Sequence, residues 1–190
     1  MSICNPFSQA KDLQSWPSDE TLQKIQKRGI ELIANTHGQN HGMWRLSFSY
    51  AETKLIDNAR EVFHTFSKLL VILKVLRILH LLPPEKRYIV PKFKSYHLKV
   101  MMLHEALKYS SKSAWADDKL EERFLSLVNR LKNYLQTGSL PHFHLPGINL
   151  FVHGPPSFLL EHEVFGENPM AFIEHVIKET KYEPNDNYFY

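Results

Sequence analysis

Arg45, Ser47, Ser49 and Glu52 lie close together in "WRLSFSYAETKLI", where an extended run turns straight into a helix. A core strand has no use for an Arg between a Trp and a Leu. Lys74 sits on a largely apolar helical stretch, where a cation is unusual, and Ser95 and Tyr96 open a further helix. These residue types suit a phosphorylated base. A helix N-terminus offers free N–H groups to phosphate. A Ser hydroxyl adds a donor, and a Lys from a neighbouring helix adds charge. A Tyr can stack on a base. The Arg fork can bind a base edge or a phosphate, and Glu52 can accept from a base amine.

Each residue also has a plainer reading. Ser49 and Glu52 spell S-x-x-E, a capping box that satisfies two orphan backbone donors. On that reading Lys74 snorkels to the surface, Ser95 is an N-cap and Tyr96 is core. Other chemistries are excluded by pattern. There is no G-x-G-x-x-G, P-loop, H-E-x-x-H or G-x-S-x-G. Of the 11 histidines, His142, His144 and His153 share one loop, and His37 and His41 another. No carboxylate or thiol stands at ligand spacing with them, so they read as surface or packing residues and no metal site is expected.

The elements that must position these groups are helical. "SWPSDETLQKIQKRG" starts a helix capped by Ser18 or Asp19. "GIELIAN" reads as a short strand and "THGQNHG" as a loop. From Ala51 to Leu82 apolar residues recur at helical steps, with a break expected at "IDNAR" and an end at Pro83-Pro84. "EKRYIVPKFK" is a connector. "YHLKVMMLHEALKYS" is apolar over much of its surface and should sit centrally. In "DDKLEERFLSLVNRLKNYLQTG" Leu120, Phe124, Leu127, Val128, Leu131, Tyr134 and Leu135 share a face, Asp117 or Asp118 is the expected cap, and Gly138 ends the helix. "SLPHFHLPGINLFVHGPPSFLL" is expected as an ordered, packed loop, and "NPMAFIEHVIKETKY" as a last helix. The fold class is mostly α, a compact helical bundle with at most one or two short strands near the N-terminus.

An apolar fraction of 43% and an aromatic fraction of 12% suffice for a real core. Cys4 is the single cysteine, which rules out a disulfide framework and a Cys-based zinc site. The start "MSICNPFSQAKD" has no apolar signal core, and "FSKLLVILKVLRILHLL" carries Lys68, Lys74, Arg77 and His80. A cytoplasmic protein without a membrane span is expected. The formal charge of +3 hints only weakly at anionic partners.

"WRLSFSYAETKLI", "KSYHLKVMMLHEALKY", the Trp of "SAWADDKLEERF" and "YLQTGSLPHFHLPGINLF" occur in this order. Together they resemble the C-terminal half of the Mab-21 family, most closely its cyclic GMP-AMP synthase-like branch. The resemblance runs from Ser15 to Phe151. It implies a helical, helix-hairpin-helix-like lobe that packs on an N-terminal nucleotidyltransferase lobe, with nucleotides in the cleft between them. It puts Arg45, Ser47, Ser49 and Glu52 on base-holding positions, Lys74 and Ser95 on triphosphate-holding positions, and Tyr96 on the base-stacking tyrosine. It implies ATP and GTP as substrates, Mg or Mn as cofactor in full-length relatives, and a second messenger of innate immunity as product.

The departures shape the expectation. The transferase chemistry needs a Gly-Ser loop, a carboxylate pair and a third carboxylate to hold two divalent metals. Aligning "SW" with the family's Trp puts Asn5 where the third carboxylate would lie. Residues 1–14 are thus expected as a poorly ordered remnant, 15–182 as the helical domain and 183–190 as a frayed tail. Catalytic residues and bound cofactor are expected to be absent, and the chain alone inactive. The zinc-binding insertion of the vertebrate DNA sensor would fall between Glu52 and Lys74, without a Cys or His cluster here. A partner protein or complementary transferase lobe is expected, so a stand-alone scaffold module is the competing reading. Double-stranded nucleic acid is a weaker candidate partner, through Lys24, Lys27 and Arg28, Lys86-Arg87 and Lys92-Lys94.

Overall fold

The structure, a computed structural model, describes residues 16–34, 44–80 and 93–151, the side chains of 79 and 80 excepted. Helix α1 spans Asp19–Arg28. Strands β1 (Glu31–Ala34) and β2 (Trp44–Ser47) form an antiparallel hairpin. Helices α2 (Ser49–Val62), α3 (Phe66–His80), α4 (Ser95–Lys108) and α5 (Leu120–Thr137) follow. Two short 3-10 turns, Lys112–Trp115 and Asp117–Lys119, link the last two helices. The described fold is mostly α with one two-stranded sheet near the N-terminus, as the apolar periodicity predicts.

Helix α4 is the central element. It packs against α2, α3 and α5, and Leu98, Val100, Met101, Met102, Leu103 and Ala106 are all buried. This explains why its sequence is apolar over most of its surface. Helix α5 shows the opposite pattern. Leu127, Val128, Leu131 and Leu135 are buried, and Leu120, Phe124 and Tyr134 pack partly buried on the core. Gly138 closes it with a left-handed φ of 63°, a conformation that costs a residue without Cβ nothing.

Several local expectations are corrected. Ser18 does cap α1, with the Thr21 N–H donating to its Oγ at 3.3 Å. The Ser49–Glu52 capping box does not form. Phe48 flanks α2 without a side-chain cap bond, the Ser49 hydroxyl meets Ser47 Oγ at 2.9 Å, and the Glu52 carboxylate accepts from Tyr96. Ser95 is not an N-cap: Lys94 flanks α4, its N–H donating to His97 Nδ1 at 3.1 Å while His97 N–H donates to Lys94 O at 3.0 Å. Neither Asp117 nor Asp118 caps α5, whose flanking residue is Lys119. Asp117 instead accepts from Lys68 Nζ at 2.8 Å.

The helical run after Ala51 does not break at "IDNAR". Asn58 and Ala59 are buried within α2, and Asn58 Oδ1 accepts from the Ser18 N–H at 3.0 Å. The break falls at residues 63–65. Phe63 stacks on Trp115 with ring centroids 4.9 Å apart, and the Thr65 N–H and hydroxyl both donate to Trp115 O. A long-range aromatic contact and two hydrogen bonds hold the kink that local composition did not mark. Of the expected packed loop, residues 139–151 are ordered with Leu140, Phe143, His144 and Phe151 buried, and residues 152–160 lie outside the described residues. Pro83-Pro84, most of "EKRYIVPKFK", the loop "THGQNHG", residues 1–14, the expected helix in "NPMAFIEHVIKETKY" and the tail from 183 lie outside the described residues.

Candidate nucleotide-binding wall

Three segments meet beside the start of α2. The first is the corner where β2 runs into α2 through Phe48. Period-two alternation puts Arg45 and Ser47 on one face of the hairpin and Trp44 and Leu46 on the other. Ser47 Oγ lies 3.4 Å from the Ser49 N–H and 2.9 Å from Ser49 Oγ. The second segment is the first turn of α4, where the Tyr96 hydroxyl donates to Glu52 Oε1 at 2.8 Å. The third is the loop after α5. His142 Nε2 lies 3.3 Å from the Tyr96 hydroxyl, and His144 stacks on Phe48 at 4.8 Å between centroids. Phe48 also meets His142 edge-on at 5.3 Å.

The electrostatics follow from this packing. Burial raises the carboxyl of Glu52, while the Tyr96 hydrogen bond and Lys99 pull it back down. Burial and the Glu52 carboxylate both push the Tyr96 phenol up, so it remains a neutral donor. Burial lowers His142, assisted by His104, and lowers His144 to about 4, assisted by His142. The wall therefore carries a carboxylate answered by a neutral phenol, beside neutral imidazoles.

The predicted residues divide into groups. Ser47 and Ser49 are joined by a hydrogen bond, and so are Glu52 and Tyr96. Lys74, half-buried, lies one turn before Arg77 on α3, and such neighbours share a helix face. Arg77 Nε donates to Phe93 O at 2.7 Å, just before Ser95. Among the described residues no bond ties Lys74 or Ser95 to each other or to the other predicted residues. Arg45 is exposed on β2 opposite Ile33, and among the described residues no bond ties it to the other predicted residues. Phe48, Lys99, His142 and His144 were not singled out as site residues from sequence. The loop histidines were visible there, but as packing residues. Their approach to Tyr96 and Phe48 leaves no mark in local spacing.

Of the expected basic clusters, Lys24 pairs with Glu20 at 2.6 Å and Arg28 with Glu31 at 2.8 Å. Lys86, Arg87 and Lys92 lie outside the described residues. Among the described residues no group of three His, Cys, Asp or Glu side chains could hold a metal ion. The described residues do not by themselves fit the two-metal centre of nucleotidyl transfer.

Two family models match this chain. The Mab-21 protein HhH/H2TH-like domain matches residues 67–161, half of the 190-residue chain. The chain belongs to the Mab-21 family. The Mab-21 protein nucleotidyltransferase domain matches residues 4–58. The two matches meet between residues 58 and 67. Arg45, Ser47, Ser49 and Glu52 fall in the nucleotidyltransferase-domain match, and Lys74, Ser95 and Tyr96 in the HhH/H2TH-like match. The Tyr96–Glu52 hydrogen bond therefore joins the two matched stretches.

Proposed function

We propose that this Mab-21 protein forms one wall of a nucleotide-binding cleft of the cyclic GMP-AMP synthase-like kind, in the cytoplasm. Arg45, Ser47, Ser49 and Glu52 hold a base, Tyr96 stacks on it, and Lys74 and Ser95 hold a triphosphate. The observation that carries this reading is the Tyr96–Glu52 bond, which brings candidates from both matched domains to one place. Tyr96 is half-buried, its hydroxyl meets Glu52 in the first turn of α2, and the hydrogen-bonded Ser47 and Ser49 stand at the start of that helix. Catalysis needs metal-binding carboxylates that the described residues do not group. On this reading the chain by itself is a binding element, and Mg or Mn would enter with the acids of a complete transferase lobe.

Calorimetry with ATP and with GTP tests the reading. The protein should bind one or both, and Lys74→Ala and Tyr96→Ala should each weaken binding. No binding of either nucleotide would refute it. A synthesis assay with ATP, GTP, magnesium or manganese and activating nucleic acid should give no product, and turnover by this chain would overturn the inactive-alone claim.

A second reading is a scaffold that acts through a protein partner. The hairpin face formed by Leu32, Leu46 and Trp44 is open, with Leu32 61% and Trp44 65% exposed. On α3, Val71, Val75 and Ile78 stand exposed at helical spacing. Apolar faces of this kind favour a complementary lobe, and a two-stranded hairpin alone is marginal in water. A co-purifying strand-bearing partner, without nucleotide binding, would favour this reading over the first.

A further inference from the structure

Resting on the nucleotide-wall reading, we propose that His142 is a positioning residue: its Nε2–H donates to the Tyr96 hydroxyl, which in turn donates to Glu52, so that the phenol ring is held in one pose for stacking. The direction of the chain follows from the other side of the imidazole. His142 Nδ1 lies 3.1 Å from the His144 N–H and 3.3 Å from the Leu145 N–H. Both are backbone donors, so Nδ1 must be the acceptor. A neutral imidazole with an accepting Nδ1 carries its proton on Nε2. That proton faces the Tyr96 oxygen at 3.3 Å.

The Tyr96 oxygen then accepts from His142 and spends its own proton on Glu52 Oε1 at 2.8 Å. With those two bonds made, the hydroxyl has no proton left to give a ligand and keeps one lone pair. What Tyr96 presents is its ring face. It should therefore stack on adenine and guanine alike, leaving discrimination to the serines, Arg45 and Glu52. Phe48 fixes the imidazole pair from the other side, edge-on to His142 and stacked on His144. The loop after α5, the start of α4 and the β2–α2 corner are thereby held in register by the His142–Tyr96–Glu52 hydrogen bonds and the Phe48 ring contacts.

The experiment has two parts on the full chain. Long-range nitrogen–proton NMR of the wild-type protein at neutral pH reads the His142 tautomer, and the expected signal is Nε2–H. A proton on Nδ1, or a doubly protonated ring, overturns the inference whatever the affinity. Calorimetry with ATP and GTP then compares variants. His142→Ala should weaken binding roughly tenfold, the loss of about one fixed hydrogen bond. His142→Gln, whose amide N–H can reach the phenol, should recover most of it. In a Tyr96→Phe background His142→Ala should have little further effect, because the hydroxyl it positions is gone. If the wild-type protein binds nucleotide and His142→Ala binds equally well, the positioning role is refuted. Equal losses from His142→Ala in both backgrounds also refute it, since a loop-folding role would act with or without the hydroxyl. If the wild-type protein binds neither nucleotide, the wall itself falls and His142 has nothing to position.

Discussion

Two glutamates on neighbouring helices meet opposite fates. Glu105 of α4 is fully buried and accepts from Arg123 at 3.3 Å and from Arg130 at 2.8 Å. Arg123 is itself buried, lies over the Tyr109 ring at 3.5 Å and also pairs with Glu122. Glu52 of α2 is half-buried and held by the neutral Tyr96 phenol, with Lys99 near. In the α4–α5 interface the carboxylate charge is answered by fixed cations. In the wall it is answered only in part. A buried and fully paired acid serves the fold, because removing it strands a cation. A desolvated acid without a cation bonded to it costs stability and keeps capacity for a ligand donor, as functional sites often do.

One substitution made in both places tests the contrast most strongly. Glu105→Gln should destabilise the protein by about 3 kcal/mol, near the low end for a broken buried pair because Glu122 still reaches Arg123. Chemical denaturation measures this. Glu52→Gln should leave stability unchanged or raise it at neutral pH, while weakening nucleotide binding. Equal destabilisation by both would erase the distinction.

Acid separates the regions next. His97 and His144 are both held down to about 4, chiefly by burial. The unfolded chain takes up these protons near pH 6.5 and the folded chain only near 4. Stability should therefore fall as pH drops through that window, by on the order of 1–3 kcal/mol per group. Thermal melts at stepped pH give the slope, and His144→Gln should flatten it. Glu52 has the reverse sign. Its folded form is raised, so its ionisation costs stability as pH rises above the ordinary carboxylate range. Any advantage of Glu52→Gln should vanish in acid.

Tyr96→Phe should cost about 1 kcal/mol through the lost hydrogen bond to Glu52. The smallest effect belongs to the exposed Arg60–Asp57 pair at 3.4 Å. Arg60→Ala should change stability by less than about 0.5 kcal/mol and leave nucleotide affinity intact.

How far local pattern reached can be read from particular elements. Apolar spacing marked the faces of α5 and the central place of α4, because a helix with one apolar stripe and a helix apolar all round have different partners. Ser18 and Gly138 marked their helix ends, since capping acts within a few residues of chain. The break between α2 and α3 was misplaced, because it depends on Trp115, far along the chain. The capping box failed for a similar reason: Tyr96 competes for the Glu52 carboxylate, and Ser47 for the Ser49 hydroxyl.

The amino-acid sequence by itself determined a mostly helical chain, its apolar faces, its family and the residue types suited to a phosphorylated base. These follow from periodicity, short-range hydrogen bonding and motif order. Only the tertiary structure decided that Tyr96 spends its proton on Glu52, that His142 stands behind it, and that Phe48 carries His144. Each of those contacts joins residues more than forty positions apart. Which distant donor meets which acceptor is settled by the packing of helices around α4, and a hydrogen bond forms only where that packing brings the atoms within reach.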